Sequence, residues 1–181
     1  NLKILLAYSS IGHMGYALAG IATGTTAGFK SSIFYISIYV VMNIGAFSCL
    51  FLMKKDGEYK ESISDLSGIS KKNPLLALSL LIILFSLAGI PPLGGFFAKF
   101  YVFSSVLEQK MYFLAIIGLL TTVISAVYYL KIIKTIYFDE NKLSFDLVNN
   151  KIIHFTIFLS CTLLLTFFLY PSVLNEIISS L

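Results

Sequence analysis

Two residues in this chain have the type and setting to move protons. Between Lys72 and Glu108 the one charged residue is Lys99. It lies four positions past the run Gly89-Ile90-Pro91-Pro92-Leu93-Gly94-Gly95. An amine in apolar surroundings can bind and release a proton as its neighbours change. Lost solvation disfavours the charged form, and a nearby carboxylate or polar water restores it. The second residue is His13, in Tyr8-Ser9-Ser10-Ile11-Gly12-His13-Met14-Gly15-Tyr16. A histidine titrates near neutrality and could relay protons. A neutral histidine bonded to a neighbouring element is the structural alternative. Tyr8, Ser9, Ser10, Tyr16 and Asn43 could order water beside it or bond across helices. Thr121, Thr122 and Ser125 carry the same two readings.

The elements that hold these residues follow from composition. The chain has 181 residues, 57% apolar and 12% charged, with mean hydropathy +0.88. A soluble domain carries about 25% charged residues. This excludes a soluble enzyme, a nucleic-acid-binding domain and a disordered chain. Charge-free stretches run over 4–29, 31–53, 73–98, 111–130 and 152–175. A helix needs about 20 apolar residues to cross a bilayer core. We read an all-α membrane protein forming one transmembrane domain over 1–181. Its five spans lie at about 4–22, 32–53, 74–107, 111–137 and 152–174. The short alternating segments of a β-barrel are missing.

The third span is the unusual one. A straight helix over 74–107 would be about 50 Å long, well beyond a ~30 Å core. The Gly-Pro run supplies a break. Pro91 and Pro92 remove backbone donors, and Gly89, Gly94 and Gly95 admit unwound conformations. The break falls near residue 91, at mid-membrane depth. Unwound backbone there must be surrounded by protein or line a hydrated cavity, and broken helices recur at transporter ion sites. Lys99 is about 13 Å from Glu108 along a helix axis, and a lysine stem reaches about 6 Å. Snorkelling to the interface therefore falls short. A buried amine at this depth is a functional candidate, with a purely structural lysine as the alternative.

Orientation follows from the basic residues, all thirteen of them lysine. Lys3, Lys54, Lys55, Lys60, Lys71, Lys72, Lys131, Lys134, Lys142 and Lys151 fall on one side of five spans, and Lys30 and Lys110 on the other. Such asymmetry marks the inner side. It puts the N-terminus in the matrix or cytoplasm and the C-terminus outside. The loop 54–73 carries Ile63, Leu66 and Ile69 at three-residue intervals, with Ser62 and Asp65 spaced as a weak capping box. A short amphipathic helix on the inner membrane surface is expected there, with a solvated linker as the alternative. Gly20, Gly24 and Gly28 are spaced for close helix packing.

No cleavable signal pattern opens the chain. Cys49 and Cys161 read as packing residues, without support for a disulfide or a cluster site. The sequence has no Walker A loop, dinucleotide GxGxxG, HExxH or CxxC pattern. No metal or cofactor site is read in it.

Three segments together resemble a known family. Leu5-Leu6-Ala7-Tyr8-Ser9-Ser10-Ile11-Gly12-His13-Met14-Gly15-Tyr16 is similar to the tenth-helix signature of the antiporter-like subunits of respiratory complex I. Asp65-Leu66-Ser67-Gly68-Ile69, followed by Asn73-Pro74, resembles the loop before their broken helix. Ser86-Leu87-Ala88-Gly89-Ile90-Pro91-Pro92-Leu93-Gly94-Gly95-Phe96 with Ala98-Lys99-Phe100 resembles that helix itself. Within the family the pattern is most similar to the chain 2, or subunit N, branch.

The resemblance implies a fourteen-helix subunit of which these 181 residues form the last five helices. It makes Lys99 the proton-loading lysine of the broken helix and His13 a polar position on a hydrated central axis. Pro91, Pro92, Gly94, Gly95, Tyr8, Ser9 and Ser10 support them. It implies membrane-arm neighbours, lipids and a companion chain carrying the first nine helices. NADH, flavin, iron–sulfur clusters and ubiquinone are expected in other subunits. Lysine without arginine, with abundant Ile, Phe and Leu, suggests an AT-biased genome. A mitochondrial inner membrane is therefore expected, with a bacterial plasma membrane as the alternative. A multi-subunit cation/proton antiporter, a membrane-bound hydrogenase and a non-pumping scaffold are the competing readings.

Overall fold

The computed structural model describes residues 1–140, 145–146 and 150–169. Its helices are α1 (Leu2–Ala22), α2 (Thr26–Leu52), α3 (Pro74–Ala88), α4 (Gly94–Glu108), α5 (Tyr112–Phe138) and α6 (Lys151–Leu169). The five-segment reading thus maps onto six helices, the third segment being split into two 15-residue halves. By length and apolarity α1, α2 and α5 can each cross a membrane. Residues 170–174 of the fifth expected span lie outside the described residues.

Local signals fix the helix ends. Asn1 caps α1, its side-chain oxygen accepting from the Ile4 amide at 3.1 Å. Gly24 takes a left-handed φ of +66° in the turn to α2, and Thr25 caps α2 by accepting from the Gly28 amide. The second helix therefore starts at Thr26, not at residue 32. Lys30 lies inside its first turns and does not delay it. Gly20 and Gly28 mark a close approach of α1 and α2, where a Cβ on either would strike the other's backbone carbonyl. Pro74 opens α3 at the position where a helix has no use for an amide donor.

The loop 53–73 differs from expectation. Lys54–Lys55 and Glu58–Tyr59 pair as a two-residue antiparallel hairpin over the turn Asp56-Gly57, both residues at positive φ. Two short 3-10 turns follow, Ile63–Leu66 and Ile69–Lys71. The Ser62 amide does donate to the Asp65 carboxylate, at 3.0 Å. Leu66 and Ile69, however, are fully buried in the protein core, not laid on a membrane surface. A three-residue apolar spacing matches the three residues per turn of a 3-10 helix better than 3.6. Gly68, at φ +63°, separates the turns and donates its amide to the Thr135 carbonyl of α5. The chain bends by 118° from these turns into α3.

α4 sits at the centre, in contact with all five other helices. It buries Ala98, Val102 and Val106 completely, one stripe at four-residue spacing. α2 packs against α1, α3, α4 and α6. Its buried positions include Tyr35, Ile38, Tyr39, Met42, Ala46 and Cys49, the 3–4 spacing of one helix face. α5 buries Tyr129, Ile132, Ile133 and Ile136 near its C-terminal end. Its earlier residues, among them Phe113, Val123 and Ile124, are exposed and apolar.

Candidate functional site

The broken helix builds the first half of the site. α3 ends with Gly89 in the left-handed region, φ +82°, the usual device for closing a helix. The Gly89 amide satisfies the Phe85 and Ser86 carbonyls, and the Ile90 amide returns to Phe85. The carbonyls of Leu87 and Ala88 are left facing the break. Residues 89–93 connect the halves. Gly94 and Gly95 are not part of the unwound stretch but open α4. Both are buried, whereas Pro91 and Pro92 are exposed.

Lys99 is 5% exposed, one turn into α4. Its stem does not reach outward. It folds back over Gly89, and Nζ donates to Leu87 O at 3.1 Å and Ala88 O at 3.3 Å. The same nitrogen lies 4.9 Å from the centre of the Tyr16 ring. Two carbonyls and one aromatic face thus receive an ammonium group with three donors. Among the described residues Lys99 forms no ion pair. Placing a lysine at mid-membrane costs about 2.5–3.5 kcal/mol. Hydrogen bonds from a charged donor contribute about 1.5–3 kcal/mol each, so two of them offset that cost without a carboxylate. The carbonyls also form the negative end of the α3 dipole.

The second half of the site lies on α1. His13 is 2% exposed. Its Nδ1 is 2.7 Å from Tyr35 Oη on α2, and its Nε2 is 3.2 Å from Tyr129 Oη on α5. The Tyr39 ring stacks on the imidazole at 4.7 Å. Ser9 hydrogen-bonds Tyr129 Oη, and Tyr39 donates to Ser10 Oγ at 2.6 Å. Tyr16 joins the two halves. Its ring lies edge-on to His13, centroids 6.0 Å apart, with Lys99 Nζ over its face. Thr122 Oγ1 is 3.0 Å from Tyr16 Oη, and Thr121 Oγ1 is 3.3 Å away. An open cleft of about 400 Å³ runs beside α1, lined in part by Tyr8, Ser9, His13, Tyr16, Thr121 and Ser125.

The fold therefore brings Lys99, His13, Ser9, Gly94 and Gly95 into one buried region, with Ser10 half-buried at its edge. Tyr8 is set apart at the cleft, 72% exposed. The hydroxyls of Thr121, Thr122 and Ser125 all bond carbonyls of their own helix. Tyr35, Tyr39 and Tyr129, the ring and hydroxyl partners of His13, stand in no motif of the sequence. The four-residue spacing of Tyr35 and Tyr39 puts both on one helix face, the one signal that was available. Cys49 and Cys161 are buried free thiols. Among the described residues no group of three or more His, Cys, Asp or Glu side chains is assembled.

Comparison with known proteins places this architecture. The transmembrane family described as NADH:quinone oxidoreductase/Mrp antiporter matches residues 1–125. NADH-quinone oxidoreductase subunit N of Pelagibacter ubique is 62% identical over 179 residues, which are 99% of this chain and 38% of that protein. Subunit N of Rhodospirillum rubrum is 45% identical over 97% of this chain and 36% of its own length. The chain thus spans about two-fifths of the length of these relatives. Among solved structures, respiratory complex I from Thermus thermophilus with bound NADH superposes with TM-score 0.82 at 25% identity, over 98% of this chain and 38% of that one. The Mrp complex from Dietzia sp. superposes with TM-score 0.68 at 27% identity, over 76% and 26%.

Proposed function

From the premise that this chain belongs to the NADH:quinone oxidoreductase/Mrp antiporter transmembrane family, we propose that it is part of a proton-translocating membrane-arm subunit of NADH:quinone oxidoreductase, with Lys99 as its proton-loading group. The observation that carries this reading is the buried Lys99 amine, held by the Leu87 and Ala88 carbonyls without a carboxylate partner among the described residues. A cation so placed is stable while polar groups surround it, and gives up its proton when a second positive charge approaches. That second charge would be a lysine outside these 181 residues. The two subunit N relatives favour this assignment by their identities of 62% and 45%.

His13 fits a relay role in chemical terms. A neutral imidazole donates from one nitrogen and accepts at the other, and each nitrogen here has a tyrosine hydroxyl beside it. A proton arriving on one side can leave from the other. Tyr16 lies between this relay and Lys99. NADH oxidation and quinone reduction belong to other subunits, where flavin, iron–sulfur clusters and ubiquinone are carried, and no step here uses them. The relatives are bacterial, so we assign the chain to a bacterial plasma membrane in place of the mitochondrial inner membrane expected from composition. The lysine-rich loop is tied to the start of α1, with the Leu2 amide donating to Glu61 O at 2.7 Å. Lys3 therefore lies at the same end as Lys54, Lys55 and Lys60, and we read that end as the cytoplasmic one by the positive-inside rule. Lipids, membrane-arm neighbours and a segment bearing the remaining helices complete the assembly.

The likeness to the Mrp complex favours a second reading, a subunit of a cation/proton antiporter. Mild solubilisation of native membranes and identification of co-purifying chains separates the two. NADH-oxidising subunits in the same particle support the proposal, and antiporter subunits without them overturn it.

A further inference from the structure

The two halves of the broken helix are joined by hydrogen bonds that run from donors on α4 to acceptors on α3, and this gives a role to a residue the proposed mechanism does not use. We infer that Ser86 of α3 is the positioning residue for Lys99, acting as the N-terminal cap of α4 from the neighbouring half-helix. The inference rests on the function proposed above.

The first amides of a helix have no partner within it. The usual solution is a Ser, Thr, Asp or Asn at the position before the helix. At the start of α4 that position is Leu93, which has no side-chain acceptor. The Gly95 amide instead donates to Ser86 Oγ at 3.0 Å, nine residues back and on the other half-helix. Ser86 is fully buried, so water cannot replace it. The fit is tight, because a Cβ on residue 95 would strike the Ser86 carbonyl. Glycine at 95 and serine at 86 therefore form one joint.

The joint lies directly beneath the amine. Leu87 and Ala88, the acceptors of Lys99, follow Ser86 on α3. Lys99 follows Gly95 by one turn on α4. One bond runs from α4 to the Ser86 oxygen, and two run from Lys99 to the carbonyls beyond it. With the Ser86 oxygen gone, the first turn of α4 frays, and Lys99 loses its fixed distance from its acceptors. Misplacement of a reacting group by about 1 Å can lower a rate about 100-fold.

The test uses the whole membrane-embedded protein in its native vesicles, carrying Ser86→Ala, Ser86→Thr or Ser79→Ala. Ser79 lies on the same helix and bonds the carbonyl of its own Leu75. Amide hydrogen exchange over residues 94–99 is expected to be about fivefold faster in Ser86→Ala, unchanged in Ser79→Ala, and largely restored in Ser86→Thr. Proton translocation driven by NADH oxidation falls in Ser86→Ala and recovers in Ser86→Thr. Ser86→Ala adds no further loss to Lys99→Ala. Unchanged exchange in Ser86→Ala overturns the cap. Faster exchange with unchanged proton translocation, while Lys99→Ala lowers it, overturns the positioning role. If Lys99→Ala itself leaves proton translocation unchanged, the proposed function fails and the positioning role fails with it.

Discussion

The Lys99 amine donates to the Leu87 carbonyl oxygen at 3.1 Å, across a helix break and twelve residues back in the chain. This bond makes the break part of the amine's binding site. The end of α3 supplies the acceptors that a carboxylate would otherwise provide, and the start of α4 supplies the donor.

The Tyr16 ring is the third side of that site. Tyr16→Phe keeps the aromatic face and removes the hydroxyl held by Thr122. Tyr16→Leu removes the face as well. A cation–π contact contributes about 0.5–2 kcal/mol. Tyr16→Leu is expected to lower proton translocation several-fold more than Tyr16→Phe, measured as acidification of inverted vesicles on NADH addition.

The His13 relay depends on its two hydroxyl partners. Tyr35→Phe leaves Nδ1 buried and unpaired, and Tyr129→Phe does the same to Nε2 while freeing Ser9. An unpaired buried polar group costs about 1–3 kcal/mol. Each substitution should lower both thermal stability and proton translocation. In a His13→Phe background neither should have a further effect on proton translocation, and a double-mutant cycle checks this.

Gly95→Ala tests the packing of the two half-helices. The added methyl strikes the Ser86 carbonyl, a backbone atom that cannot rotate away. Overpacking of this kind costs about 1–3 kcal/mol. A lower unfolding temperature of the purified protein in detergent is expected, together with faster hydrogen exchange in α3.

At the lysine-rich end, Glu61 anchors α1. The Asn1 amide group donates to its carboxylate at 3.1 Å, and Lys3 lies 3.5 Å away. The Asn1 hydrogen bond, followed by the charge of Lys3, holds the Glu61 carboxyl below its ordinary value. A carboxyl with a depressed folded value contributes stability above its unfolded value, about 4.3, and loses it as pH falls through the folded value. The anchor is solvent-exposed, so the effect is small and weakened by salt. Hydrogen exchange over residues 2–6 should rise as pH is lowered below about 4, after correction for intrinsic rates. Glu61→Gln should abolish that rise.

What the sequence disclosed depended on whether a signal was local. Lys99 and the break were legible because a lone charge and a Gly-Pro cluster interrupt an otherwise apolar run. The amine does not snorkel outward but turns inward to Leu87 and Ala88. The partners of His13 were not legible. Tyr35 and Tyr129 sit 22 and 116 residues away, and a tyrosine in an apolar helix suits a lipid-facing surface as well as a core. The Ser86–Gly95 bond was hidden for a related reason. Both residues stood in a recognisable segment, but their contact exists only once the two halves fold back on each other. In the 54–73 loop an apolar residue at every third position fits one face of a surface helix as well as it fits two 3-10 turns, and only the fold shows that Leu66 and Ile69 enter the core.

The central claim is that Lys99 takes up and passes on the transported proton. The most direct test is the number of protons moved per NADH oxidised in native vesicles carrying Lys99→Ala, with assembly verified by the abundance of the purified particle. The account predicts a marked fall in that ratio and in coupled turnover, with a normally assembled particle. A ratio and a turnover equal to those of the unsubstituted protein would contradict it and leave the broken helix a structural joint.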